Sequence, residues 1–308
     1  MTLPHHMDLP VSRRALLRGG AGLGAGALLG ALPLGRMALA AEGIEGQWPA
    51  VTAMVERYAR SGKVSGMIAA LGWGDAAPGF IARGREGFDD KDPYGPDSLF
   101  RAYSMTKPLT GMAAMILIEE GRIGLDQPVA DFIPEFARMQ VAIDPLKSLA
   151  ARPAEKVMTV RHLLTHTSGL GYAVVGKDKC SAELTRLGVN PGLVSRRKLP
   201  GVNDGPPTPG PDEFLRRAAL VPLVAEPGRR WSYSMSLDVL GLLIGRASGG
   251  SLESFVAERL FGPLGMESSY FQVPYSASGH LTTNYALLLK RPFAIDRPGK
   301  SVYQDPIP

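Results

Sequence analysis

Apolar residues recur at helical spacing between Val51 and Arg60 (Val51, Met54, Val55, Tyr58), which predicts an amphipathic helix near the start of the folded chain. Two short apolar runs follow, Gly66–Gly72 and Gly79–Arg83, bounded by Gly, Pro and Asp; they read as strands joined by a hairpin-like turn. Beyond Phe100 the pattern changes to long helices. Thr110–Gly121 is rich in Met, Ala, Ile and Leu and stops at a glycine, the signature of a buried helix with a C-terminal glycine stop. Leu125–Pro134 predicts a short, proline-punctuated helix, and Thr159–Leu164 another with threonine as its cap. Residues 171–212 lose the rhythm and end in a Pro/Gly cluster at 200–211, so a long irregular loop is expected, of the kind that covers a functional site or is disordered. Helical spacing resumes over Glu213–Leu220, Leu237–Ala247 and Leu252–Leu260, and no internal repeat appears.

The first forty residues follow a different logic. Ser12-Arg13-Arg14-Ala15-Leu16-Leu17 precedes an uncharged run of mostly Gly, Ala and Leu from Gly19 to Gly35, and Ala38-Leu39-Ala40 follows it. The run is short, diluted by glycine and interrupted by Pro33, hence a poor membrane span. It resembles a twin-arginine export signal, residues 1–40, with cleavage near Ala40 and a periplasmic or secreted destination. Residues 41–308 form the folded part. Residues 1–40 hold four arginines against one acid, which leaves 30 basic and 28 acidic groups in the rest of the chain. So balanced a body argues against a nucleic-acid partner. One cysteine, Cys180, allows neither an intrachain disulfide nor a thiolate metal cluster and reads as a spectator thiol.

Ser104-Met105-Thr106-Lys107 carries the chemistry. A hydroxyl is a weak nucleophile until a base takes its proton, and a lysine three residues on shares the serine's helix face. The apolar Met112–Ile118 stretch supplies surroundings that favour a partly neutral lysine. Ser104 is also expected at the positive end of that helix, where a backbone N–H helps to hold an oxyanion. Ser195-Arg196-Arg197-Lys198 matches the same spacing but lies among cations in a polar loop with no apolar helix behind it, so it is read as non-catalytic. His162 and His166 stand four apart, yet Leu163 occupies the place of a zincin glutamate and no third ligand is evident. Hydrogen bonding at a helix end is the expected role of both. No Gly-x-Ser-x-Gly elbow occurs.

Five ordered motifs resemble the serine β-lactamase-related hydrolases, in particular the class C-like esterases called family VIII. They are the stretch Phe100–Thr110 around Ser104, Gly124–Val129, Val160–Leu170 (VRHLLTHTSGL), Pro227–Ser234 (PGRRWSYS) and Phe261–Met266, and the resemblance spans about residues 50–275. It implies Ser104 as the acylated nucleophile, Lys107 as its activating partner and Tyr233 as the phenol that relays protons. It implies an α+β, two-lobed fold, with an antiparallel sheet flanked by helices and a mostly helical lobe. The substrate implied is a small-molecule ester or amide, with no metal or cofactor.

Two departures shape the expectation. Where β-lactamases resemble Tyr-x-Asn, this chain has Tyr233-Ser234-Met235, which weakens a lactamase reading and strengthens an ester-cleaving one. The third motif of such enzymes, Lys-Thr-Gly, His-x-Gly or Trp-Gly-Gly, is not found after Tyr233. The resemblance therefore implies a C-terminally truncated member with an incomplete sheet. Alternatives are a β-lactamase or D-amino-acid peptidase acting on peptidoglycan-like substrates, and a non-catalytic binding relative.

Overall fold

Proline near the first helical position and arginines in the last turn frame helix α1 (Pro49–Arg60), whose Val55 is fully buried. The computed structural model describes residues 43–74, 76–190, 192–196 and 205–304, so the expected export signal lies outside the described residues. A single helical turn, Ile44–Gln47, precedes α1. After α1, strands β1 (Gly66–Leu71) and β2 (Gly79–Gly84) pair antiparallel from Gly66↔Gly84 to Leu71↔Gly79, as the two apolar runs predicted. These elements form one compact unit; Lys63–Ser65 and Arg85 onward form a second. In the first unit Arg83 on β2 reaches Glu45 at 2.9 Å and Glu56 on α1 at 3.3 Å, and Trp48 stacks on Trp73.

The second unit is built on helix α2 (Thr106–Glu119) and helix α6 (Ser236–Ser248), which contact each other. Pro108 falls in the first turn of α2, where its missing N–H costs nothing. Gly121, at φ +68°, ends the helix in the left-handed conformation, and the Arg122 N–H returns to the Leu117 carbonyl. Ala113, Ala114 and Leu117 of α2 join Val239, Leu240, Leu243 and Ile244 of α6 in one apolar core. Around them stand α3 (Val160–Leu164), α4 (Lys179–Arg186), α5 (Pro211–Ala219) and α7 (Leu252–Val256), the last continuing as a wide π-type turn to Phe261. Two further antiparallel pairs complete the described residues: β3 (Gln140–Ala142) with β4 (Ala151–Pro153), and β5 (Asn284–Leu288) with β6 (Arg291–Asp296). No helix among the described residues is long and apolar enough to cross a membrane.

Two expectations are corrected. The span 171–212 is not irregular throughout, because α4 lies inside it. Asp178 caps that helix by accepting the Ser181 N–H at 2.9 Å, and Cys180, Ser181 and Leu184 turn to the core. A helix this short offers little more than two turns of periodicity, and glycines and prolines nearby mask it. Leu125–Pro134 is not one helix but two 3-10 turns, Val129–Asp131 and Pro134–Phe136, since Pro128 and Pro134 interrupt the backbone hydrogen bonds. Cys180 is buried in α4, and burial pushes its thiol up to about 11, which keeps it protonated and unreactive.

Candidate active site

Ser104 sits on a one-turn 3-10 helix, Tyr103–Met105, that runs straight into α2. Tyr103 precedes it at φ +45°, a left-handed conformation that a bulky residue holds only where its surroundings over-determine it. Those surroundings come from the far end of the chain. The Tyr103 hydroxyl accepts from Asn284 Nδ2 at 2.5 Å, and its ring meets the Tyr303 ring edge-on. Two residues earlier, buried Arg101 binds buried Asp296 of β6, which also accepts from Ser301 Oγ at 2.6 Å and from the Val302 N–H at 3.0 Å.

Lys107, one turn after Ser104, donates to Ser104 Oγ at 3.3 Å. Tyr233 precedes α6, and its hydroxyl lies 2.7 Å from Ser104 Oγ. The Lys107 Nζ is 5.1 Å from the centroid of the Tyr233 ring. Partial burial pushes the Tyr233 phenol up, but hydrogen bonds to Lys107 and Ser104, together with the Lys107 charge, outweigh it and hold the phenol below the ordinary tyrosine value. All three residues named from the sequence meet within the second unit. Ser195 does not join them: it is buried and donates to the Ile295 carbonyl at 2.6 Å, while Lys198 lies outside the described residues.

Two neighbours, Asp238 and Tyr172, are not singled out by the sequence, and a third, His166, is expected from it only as a hydrogen-bonding residue at a helix end. Asp238, in the first turn of α6, has a buried Oδ2 with no hydrogen-bond partner among the described residues. Burial, partly offset by the Lys107 charge, pushes its carboxyl up to about 6. The signal was present as a lone acid inside the apolar run of α6. Tyr172 packs edge-on against Tyr233 at 5.5 Å, and its phenol is pushed well up by burial and then by the Asp238 and Tyr233 charges. His166 packs at 4.9 Å on the Tyr233 ring, whereas His162 accepts the Thr159 N–H at 3.1 Å on its Nδ1 at the start of α3. A cavity of ≈ 1230 Å³ opens beside Ser104 and Lys107, with Val174, Leu237, Phe261 and Phe271 on its wall and Asp238 among them.

A family model described as Beta-lactamase matches residues 51–303. This chain belongs to the beta-lactamase family. Protein Rv1367c of Mycobacterium tuberculosis is 36% identical over 205 residues, 65% of this chain and 47% of that protein. Esterase EstB of Burkholderia gladioli is 36% identical over 206 residues, 63% of this chain and 47% of that protein. The chain thus spans about half the length of the curated relatives it matches. Among solved structures, EstCE1, described as a hydrolase with promiscuous acyltransferase activity, is 27% identical with a TM-score of 0.61, covering 80% of this chain and 58% of that one. The fold is α+β and of the β-lactamase/DD-peptidase kind. In this beta-lactamase family member Met235 is buried in the core, so the position two after the tyrosine presents no amide to the site.

Proposed function

We propose that this protein is a serine hydrolase of carboxylic esters that works through an acyl-enzyme on Ser104. The observation that carries the reading is the meeting of Ser104 Oγ, Tyr233 OH and Lys107 Nζ, with the phenol already more acidic than usual. In this mechanism Ser104 Oγ attacks the ester carbonyl carbon as its proton passes to the Tyr233 oxygen, and the Lys107 charge stabilises the phenolate form that receives it. The tetrahedral adduct collapses, the bond to the alcohol oxygen breaks, and that oxygen takes the proton from Tyr233. Water then repeats the sequence on the acyl-serine and releases the acid. The esterase name of EstB and the hydrolase description of EstCE1 support this reading, and the Met235 position favours esters over β-lactams.

The test uses the full chain, a short-chain aryl ester and a fluorophosphonate probe, with the adduct located by mass spectrometry. Ser104→Ala should abolish labelling and Ser195→Ala should leave it intact. Lys107→Ala and Tyr233→Phe should each slow turnover by about 10²- to 10⁴-fold, the usual worth of general acid–base catalysis. An adduct on any residue other than Ser104 sinks the assignment.

Export by the twin-arginine route, with release into the periplasm or medium, belongs to the same proposal and rests on Arg13-Arg14 and the apolar run after them. Replacing both arginines by lysine should leave an uncleaved precursor in the cytoplasm. Mature protein beginning near Ala41 despite that change points to a different route.

A further inference from the structure

Residues 166–171 and 232–235 run side by side, and His166 is fastened to both flanks of Tyr233. The His166 carbonyl accepts the Ser232 N–H at 2.8 Å, and its ring Nδ1 accepts the Ser234 N–H at 3.2 Å. Its ring lies 4.9 Å from the Tyr233 ring, tilted by 41°. Ser234 Oγ, 3.3 Å from the same nitrogen, continues a buried hydroxyl chain through Ser236 Oγ at 2.6 Å to Ser168 Oγ at a further 2.7 Å. A ring nitrogen that accepts a backbone N–H carries no proton, so the neutral imidazole bears its hydrogen on Nε2. The His166 backbone stands at φ +53°, a left-handed conformation seldom held by residues other than glycine. Three residues later Gly169, at φ +83°, lets residues 166–171 close on the backbone of residues 223–225: a Cβ there would lie 2.0 Å from the Ala225 carbonyl oxygen.

We propose that His166 is the positioning residue of Tyr233: its carbonyl and its Nδ1 grip the peptide groups on either side of the phenol and its ring braces the phenol ring, which holds the Tyr233 oxygen on Ser104. The contact it maintains is the 2.7 Å approach through which the serine proton leaves, and a misplacement of about 1 Å in such a contact costs on the order of 10²-fold in rate. Protonation of Nδ1 turns the acceptor into a donor that faces the Ser234 N–H, and that half of the grip is lost while the His166 carbonyl keeps the Ser232 N–H. The groups facing the imidazole are the Tyr233 phenol, the Trp231 ring, the Ser234 hydroxyl and the Lys107 ammonium. Burial first, and then Lys107, hold the imidazole below its ordinary value, so the Nδ1 half of the grip persists at neutral pH and releases in acid.

The kinetic part of the test rests on the esterase reading, and the spectroscopic part does not. In the full chain carrying ring-labelled ¹³C-tyrosine, the Tyr233 signal is assigned by its loss in Tyr233→Phe and followed against pH. It should step with the same midpoint as the His166 imidazole. His166→Asn supplies an oxygen for the Ser234 N–H and tolerates a left-handed backbone, so the acid step should vanish while the alkaline phenol titration stays close to that of the unsubstituted chain. His166→Phe keeps a ring without the acceptor, and its phenol titration should move up toward ordinary tyrosine. Labelling of Ser104 by the fluorophosphonate should slow by about 10- to 100-fold in the Phe variant and by much less in the Asn variant. A Tyr233 signal blind to His166 titration in the unsubstituted chain overturns the proposal, whether or not the variants fold. So does a folded Phe variant with unchanged phenol titration. If the unsubstituted chain neither labels nor hydrolyses esters, the esterase reading falls while the Tyr233 signal still decides the role of His166.

Discussion

At the scale of single residues, the site combines one charge that is compensated and one that is not. Lys107 shares its protons with Ser104 and Tyr233, whereas Asp238 holds a buried carboxyl oxygen without a partner among the described residues. An acid whose folded pKa, about 6, lies above its ordinary value of 3.8 binds its proton more tightly when folded. Its contribution to stability is therefore complete at low pH, is lost as pH rises between those two values, and becomes a full penalty by pH 7. Asp238→Asn should remove a penalty of order 1–3 kcal/mol at pH 8 and only about 0.5 kcal/mol at pH 4. Thermal melts of both proteins at the two pH values check this, and an equal shift at both sinks the electrostatic account. Sequence spacing alone brought Ser104 and Lys107 together, because three residues along a helix define a shared face. It did not locate Tyr233, which needed the motif resemblance, nor Asp238 and His166, whose roles depend on what the fold lays against them.

At the scale of elements, the approach to Ser104 is tied to the strand pair β5–β6 rather than to its neighbours in sequence. Leu99 bonds to His280 at 2.7 Å and to Thr282 at 3.0 Å, and Arg101 is buried against Asp296 at the end of β6. A buried pair is weak support for net stability, but breaking one half leaves the other charged and unpaired. Asp296→Ala also strips the acceptor from Ser301 Oγ and the Val302 N–H. It should cost about 3–5 kcal/mol in a urea titration and slow Ser104 labelling in whatever protein remains folded. A loss below about 1 kcal/mol sets the pair among ordinary surface bridges and ends this account. Periodicity found α1, α2, α6 and the β1–β2 hairpin because each is long enough to show its period. It found neither β3 nor β4, three residues each, nor the β5–β6 pair, where Leu287 and Leu288 are exposed and the in–out alternation fails.

At the scale of the whole molecule, the two units differ in what they bury. In the first, Val55 and Ile81 are fully buried while Tyr58, Trp73 and Phe80 stay exposed, and a two-stranded sheet, marginal in water by itself, relies on the α1 face packed against it. The second holds a continuous core from Ala113 to Leu260, in which most of α6 is buried on every side. Local opening follows buried apolar contact and the shelter of backbone hydrogen bonds, so the molecule should not open as one unit. Amide hydrogen exchange on the full chain, read by peptide mass spectrometry, should show residues 66–84 exchanging at least about tenfold faster than residues 236–248, a difference in opening free energy of about 1.4 kcal/mol or more. The segment 100–107 should exchange slowly despite the exposure of Ser104, because Arg101 and Tyr103 are held by β6, Asn284 and Tyr303. Exchange of residues 66–84 and 236–248 at one common rate shows instead a single cooperative unit. Fast exchange across residues 100–107 removes the anchoring by β5–β6 as the reason Ser104 keeps its place.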